Sequence, residues 1–142
     1  MKIHVMHTGE VRVSPYLPFG GDNCNLLKAS GMTTPKKDWM WLPVSVYLIE
    51  HPKGRILVDT GWHCDGLCAV KLTNAEGKFV LLFADGGYAT KSWKEMITSG
   101  VALDKKLQRQ SLQWIREQSL DPNCIESLAT HDTDIVPHII NL

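Results

Sequence analysis

Three strand-like stretches of this chain run out into side chains that can bind a metal or move a proton. Arg55-Ile56-Leu57-Val58 leads into Asp59-Thr60-Gly61, Phe79 to Phe83 leads towards Asp85-Gly86-Gly87, and Ile125 to Leu128 leads towards His131-Asp132. A carboxylate or imidazole just past a strand end stands at one edge of a sheet. Glycines beside it let the backbone turn sharply and approach a ligand. Aspartate and histidine are among the donors that zinc takes. Singly, each signal is weak: Asp-Gly is a turn dipeptide, His63 suits a turn after a strand, and His131-Asp132 suits a capped turn. Three such ends, with His63 close behind the first, raise a metal site against those plainer readings.

The elements that must position these groups follow from periodicity. Lys2 to Val5 reads as a strand, and Val11 and Val13 suggest another. Pro15 to Pro43, rich in Gly, Pro, Asn and Lys, reads as a long loop. Val44 to Glu50 and Arg55 to Val58 form a hairpin around His51-Pro52-Lys53-Gly54. Leu67 to Thr73 and Lys78 to Phe83 form a second around Asn74-Ala75-Glu76-Gly77. Phe79 to Phe83 is apolar on both faces, which predicts an interior strand covered on each side. Asp104 can cap a helix with the stripe Leu107, Ser111, Trp114 and Ile115, ending near Asp121-Pro122. A shorter helix is expected near Trp93 to Ile97. Ile125 to Leu128 predicts a strand, and Pro137 to Ile140 a last edge strand. The class is α+β.

Composition bounds the function. The chain has 142 residues, 44% of them apolar, with fifteen basic residues balancing fifteen acidic ones. No global field attracts nucleic acid or anionic lipid. The apolar run Phe79 to Ala84 is far shorter than the ~20 residues that span a bilayer. Met1-Lys2-Ile3-His4 offers no apolar signal region, so a cytoplasmic protein with no nucleic-acid or membrane partner is expected. Cys24, Cys64, Cys68 and Cys124 form no C-x-x-C pair and read as free thiols rather than zinc ligands or disulfides. Trp114 reads as core and the other tryptophans as core or loop anchors. His4 and His7 suit a sheet edge, and Lys105, Lys106 and Arg109 a solvated helix face. Gly20 and Gly21 are too isolated for a phosphate loop.

These residues resemble a family. Ile56-Leu57-Val58-Asp59-Thr60-Gly61 is similar to the V-D-T-G strand end of metallo-β-lactamase-fold hydrolases. His63-x-x-Gly66, Phe83-Ala84-Asp85 and His131-Asp132 resemble the later metal-ligand positions of that fold, in order. The long N-terminal loop and Asp85-Gly86-Gly87-Tyr88 resemble the N-acyl-homoserine lactonases. The resemblance implies an αββα sandwich and two zinc ions. His63 would belong to one metal, His131 to the other, and Asp85 would bridge them. Asp59 would orient ligands from behind, and Tyr88 would contact the carbonyl of a small lactone or ester. The implied reaction is attack of a metal-activated water on that carbonyl, with Asp85 helping to hold the nucleophile and the leaving alkoxide.

One departure is decisive. The family's H-x-H-x-D-H motif follows V-D-T-G, yet the histidines here stand at 4, 7, 51, 63, 131 and 138, no two of them one residue apart. The simplest reading is a central segment missing at about residue 62, by deletion, gene-model error or splicing. The chain is then one reduced domain made of an N-terminal block, 1–62, and a C-terminal block, 63–142. At most one zinc is expected, on His63, Asp85 and His131, with impaired activity. The alternatives are an inactive remnant and a non-catalytic ligand-binding domain. Losing a central block would also bare strand edges and one sheet face, favouring a homo-oligomer.

Overall fold

The computed structural model describes residues 1–58 and 69–142. Asp59, His63, Cys64, Cys68, the start of the strand expected at Leu67 and the junction at residue 62 lie outside the described residues.

Among the described residues, seven strands form two sheets. β1 (Lys2–Val13), β2 (Met40–His51), β3 (Gly54–Val58) and β7 (His138–Asn141) pair antiparallel in the order β3-β2-β1-β7. β4 (Val70–Thr73), β5 (Phe79–Ala84) and β6 (Cys124–Ala129) form the order β4-β5-β6. β5 runs antiparallel to β4 but parallel to β6. The α+β class, both hairpins and the edge position of the last strand agree with the sequence reading.

Two expectations about the N-terminal region change. The strand pieces expected around Lys2 and Val13 are one strand, whose register on β2 shifts between His7 and Gly9. His4 therefore lies on an interior strand, where its Nε2 stands 3.1 Å from Glu50, and not at a sheet edge. The loop after β1 is shorter than expected and carries helices α1 (Tyr16–Phe19) and α2 (Leu26–Ala29), then a 3-10 turn at Lys36–Asp38. Trp39 anchors it by donating Nε1–H to the Thr34 carbonyl at 3.1 Å.

The core has two compartments, split by β5. Val80 and Leu82 on one face pack with Ile3, Val5, Tyr47, Ile49 and Ile140 of the larger sheet. Phe79, Leu81 and Phe83 on the other pack with Trp93, Leu112 and Ile115. Those last three come from α3 (Thr90–Lys94) and α4 (Lys105–Ser119). The continuous apolar run of β5 is thus buried on both sides, as a central strand requires.

The described residues provide three layers: helices α3 and α4, the β4-β5-β6 sheet and the four-stranded sheet. This α+β arrangement is compatible with the expected sandwich. On the outer face of the four-stranded sheet, the cross-strand row Ile139-His4-Leu48-Leu57 leaves Leu57 and Ile139 exposed.

Helix α4 is capped as expected, with Asp104 accepting the Leu107 N–H at 2.9 Å. Its buried face is different. Gln108, Leu112 and Ile115 face inward, while Leu107 is exposed and Trp114 is 42% exposed. Gln108 can sit on that face because its Oε1 accepts the Ser99 N–H at 2.8 Å, which satisfies a buried polar group. Trp114 instead lines an open pocket with Phe83, Gly86 and Gln110. The basic face is also only partly solvated. The Lys105 ammonium holds the carbonyls of Gly21 and Cys24, and Arg109 pairs with Asp22, so the helix clasps the N-terminal loop.

Candidate functional site

Parallel pairing of β5 with β6 is what assembles the site. Leu82 stands beside Leu128 and Ala84 beside Ala129, so both strands end at the same edge and point the same way. The residues that follow, Asp85 and His131, are delivered side by side. His131 Nε2 lies 3.2 Å from Asp85 Oδ1. An antiparallel pair would have sent them to opposite ends of the sheet.

The turn that presents Asp85 is strained and tightly packed. Ala84 adopts φ +47°, a left-handed conformation uncommon outside glycine, directly before the aspartate. A Cβ on Gly86 would come within 2.7 Å of the Phe83 carbonyl oxygen and 3.1 Å of Ile115 Cδ1. Only glycine lets the chain turn this close to α4. Backbone strain of this kind concentrates at functional sites.

His131 is oriented from behind. Its Nδ1 lies 2.8 Å from the Pro43 carbonyl, which can only accept, so Nδ1 carries a proton. A neutral imidazole therefore turns the lone pair of Nε2 towards a carboxylate oxygen. That arrangement is repulsive unless a proton or a cation sits between them. The two atoms are at ion-pair distance without hydrogen-bond alignment, and Asp85 Oδ1 is buried with no hydrogen-bond partner among the described residues. Burial works to lower the His131 pKa, but Asp85 and the Pro43 carbonyl outweigh it and raise it above the ordinary histidine value.

Tyr88 completes the cluster. Its ring stacks on His131 with centroids 5.5 Å apart and planes 21° from parallel. Burial first, and then the charge of Asp85, push its pKa up to about 12, while the Ser99 hydroxyl opposes the rise. Tyr88 is therefore a phenol, a hydrogen-bond donor, at neutral pH.

Of the remaining polar groups, Asp132 makes the capped turn expected of His131-Asp132, while its reach to Thr90 and the role of Tyr47 were not legible beforehand. Asp132, 3% exposed, accepts the Thr90 N–H through Oδ2 at 2.7 Å and the Asp134 N–H through Oδ1 at 3.1 Å. Tyr47, fully buried, donates its hydroxyl to the Ala129 carbonyl at 2.6 Å. Nothing in the local sequence marks Tyr47 as different from its apolar neighbours on β2.

The donor chemistry of Asp85 and His131 admits a divalent ion. Two ligands at 2.0–2.1 Å on a tetrahedral ion stand about 3.3 Å apart, close to the observed separation. Pro43 supplies the partner behind the imidazole that metal-ligating histidines commonly have. Asp85 and His131 fit as two ligands, and no group of three or more His, Cys, Asp or Glu side chains converges among the described residues. The third expected donor, His63, is outside them, as is Asp59.

No helix among the described residues is long and apolar enough to cross a membrane. No curated protein and no solved structure matches the chain. Residues 39–85, from the entry into β2 through β5 to the aspartate itself, match the family model of the metallo-beta-lactamase superfamily.

Proposed function

We propose that this chain is a metal-dependent hydrolase of reduced form, acting on a small lactone of the N-acyl homoserine lactone type, with Asp85 and His131 as two ligands of a single zinc ion. The observation that carries the reading is Asp85 Oδ1, buried and without a hydrogen-bond partner among the described residues, facing His131 Nε2 at 3.2 Å. The superfamily match over residues 39–85 supports the metal-dependent hydrolase class. His63 is the third ligand in this reading, and Asp59 orients the ligand side chains. The missing H-x-H-x-D-H segment accounts for the small donor set and lowers activity.

A divalent ion at this site supplies an acidified water and a Lewis acid for the carbonyl. The chain's own residues do the rest. Pro43 fixes the tautomer of His131, so Nε2 is held as a donor to the ion. Asp85 contributes negative charge at the same edge and helps to position the attacking water. Tyr88, kept protonated by burial, donates a hydrogen bond to the oxygen on which charge develops. The stack on His131 sets where that phenol stands.

Metal analysis after reconstitution, paired with a lactone-opening assay that follows acid release, tests the reading. About one zinc per chain with slow turnover is expected from a one-metal site. Zinc without turnover selects a non-catalytic ligand-binding domain, and metal content near zero selects an inactive remnant.

A further inference from the structure

Asp132 is a buried carboxylate that the mechanism above leaves without a task. Its neighbours give it one. It follows His131, and its Oδ2 reaches across to the Thr90 N–H at 2.7 Å, two residues past Tyr88. Its Oδ1 closes the turn on Asp134 at 3.1 Å. A second bond runs beside the first, from the His131 N–H to the Tyr88 carbonyl at 3.1 Å. The loop after β5, which carries Asp85 and Tyr88, is thus sewn to the loop after β6, which carries His131. Of these two stitches only the Asp132 one is a side-chain bond, and it is charge-assisted.

We propose that Asp132 is a positioning residue that holds the Tyr88 ring against His131 and keeps His131 in register with Asp85. This rests on the reading of Asp85 and His131 as metal ligands. Metal ligands lose affinity when the groups that orient them are removed, by about 10–100-fold.

The bond can be cut from either side. Asp132→Ala removes the acceptor, and Asp132→Asn keeps one acceptor oxygen for Thr90. Thr90→Pro removes the donor and leaves Asp132 intact. The backbone there suits proline, since Thr90 is the first residue of α3 and Ala89 before it is extended, at φ −148° and ψ 167°, while the ring carbon takes the place of the N–H and turns the Asp132 carboxylate away.

Zinc titration of the full chain should show affinity falling about 10–100-fold in Asp132→Ala and in Thr90→Pro. Asp132→Asn should recover most of it. On the zinc-free chain, the nuclear Overhauser contact between the Tyr88 and His131 rings should weaken in the first two variants and persist in the third. Unchanged ring contact and unchanged zinc affinity in a folded Thr90→Pro chain would overturn the proposal, even if Asp132→Ala fails to fold. A wild-type chain that binds no zinc refutes the metal reading instead, and the ring contact in the zinc-free variants then decides the role of Asp132.

Discussion

Asp85 Oδ1 and His131 Nε2 face each other across 3.2 Å because β5 and β6 are parallel neighbours ending at one edge. The geometry has a cost. A half-buried histidine and a buried carboxylate oxygen are placed where neither is fully satisfied without a proton or a cation between them. Strain at Ala84 and the glycine-only turn after it keep them there.

The turn is the first place to test. Gly86→Ala brings a Cβ within 2.7 Å of the Phe83 carbonyl oxygen, a backbone atom that can move only with its strand. A loss of about 1–3 kcal/mol in urea unfolding is expected, from overpacking. A weaker zinc site should accompany it. Ala84→Gly removes the left-handed penalty, worth about 1–2 kcal/mol, and offsets part of that gain with unfolded-state entropy. It should be neutral to mildly stabilising.

Tyr88→Phe separates the phenol from the ring. The stack on His131 needs only the ring, so zinc affinity should change by less than about threefold. Lactone turnover should fall about 10²–10³-fold, as when one oxyanion donor is lost. Equal turnover in Tyr88→Phe and wild type would remove the hydroxyl from the reaction.

The helix face predicts opposite outcomes for two neighbours. Leu112 is fully buried against β5, so Leu112→Ala should cost about 2–5 kcal/mol. Trp114 is 42% exposed, and Trp114→Ala should cost well under the about 3–5 kcal/mol of a buried aromatic. Thermal melts of the two variants compare them directly.

A histidine clamp between the sheets gives a pH dependence. On β7, His138 Nδ1 lies 2.7 Å from the Val136 carbonyl and Nε2 lies 2.9 Å from Glu126 on β6. Both partners accept, so both bonds form only on the protonated ring. The Val136 carbonyl raises the His138 pKa most, partial burial opposes it, and Glu126 adds to the rise. The folded chain therefore holds this proton more tightly than the unfolded one. Its contribution is complete below the ordinary histidine value, about 6.5, and is lost as pH rises through the folded value. Stability should fall as pH rises from the ordinary histidine value, about 6.5, through the folded value, and His138→Gln should flatten part of that fall. His131, whose pKa is also raised, contributes with the same sign.

Much of this was legible in the sequence because the signals were local. The run Phe79 to Phe83 announced a doubly covered strand, and Asp104 announced a helix start. The Asp85 and His131 strand ends suggested a shared metal site, and the resemblance named them as its ligands, but the parallel pairing of strands so far apart leaves no local mark. Trp114 misled because a helical stripe can be read about one position out when a polar residue, Gln108, is satisfied inside. Lys105 and Arg109 looked solvated because their partners, Gly21, Cys24 and Asp22, come from the N-terminal loop. Asp132 announced its capped turn but not its reach to Thr90, and Tyr47 carried no pattern at all. Their roles depend on which backbone groups the fold brings to them.

Leu57 and Ile139 stand exposed at the two ends of one cross-strand row, and a sheet face bared by loss of a central block would associate through such residues. Sedimentation should then show self-association that weakens when both residues are changed to lysine. A monomer at all concentrations would count against a bared face that associates.

The central claim, that Asp85 and His131 hold one divalent ion together, is tested most directly by zinc titration of the wild-type chain beside Asp85→Asn and His131→Ala. The account predicts about one equivalent bound by the wild type and none by either variant at the same concentrations. Zinc bound equally by all three chains, or by none, would contradict it.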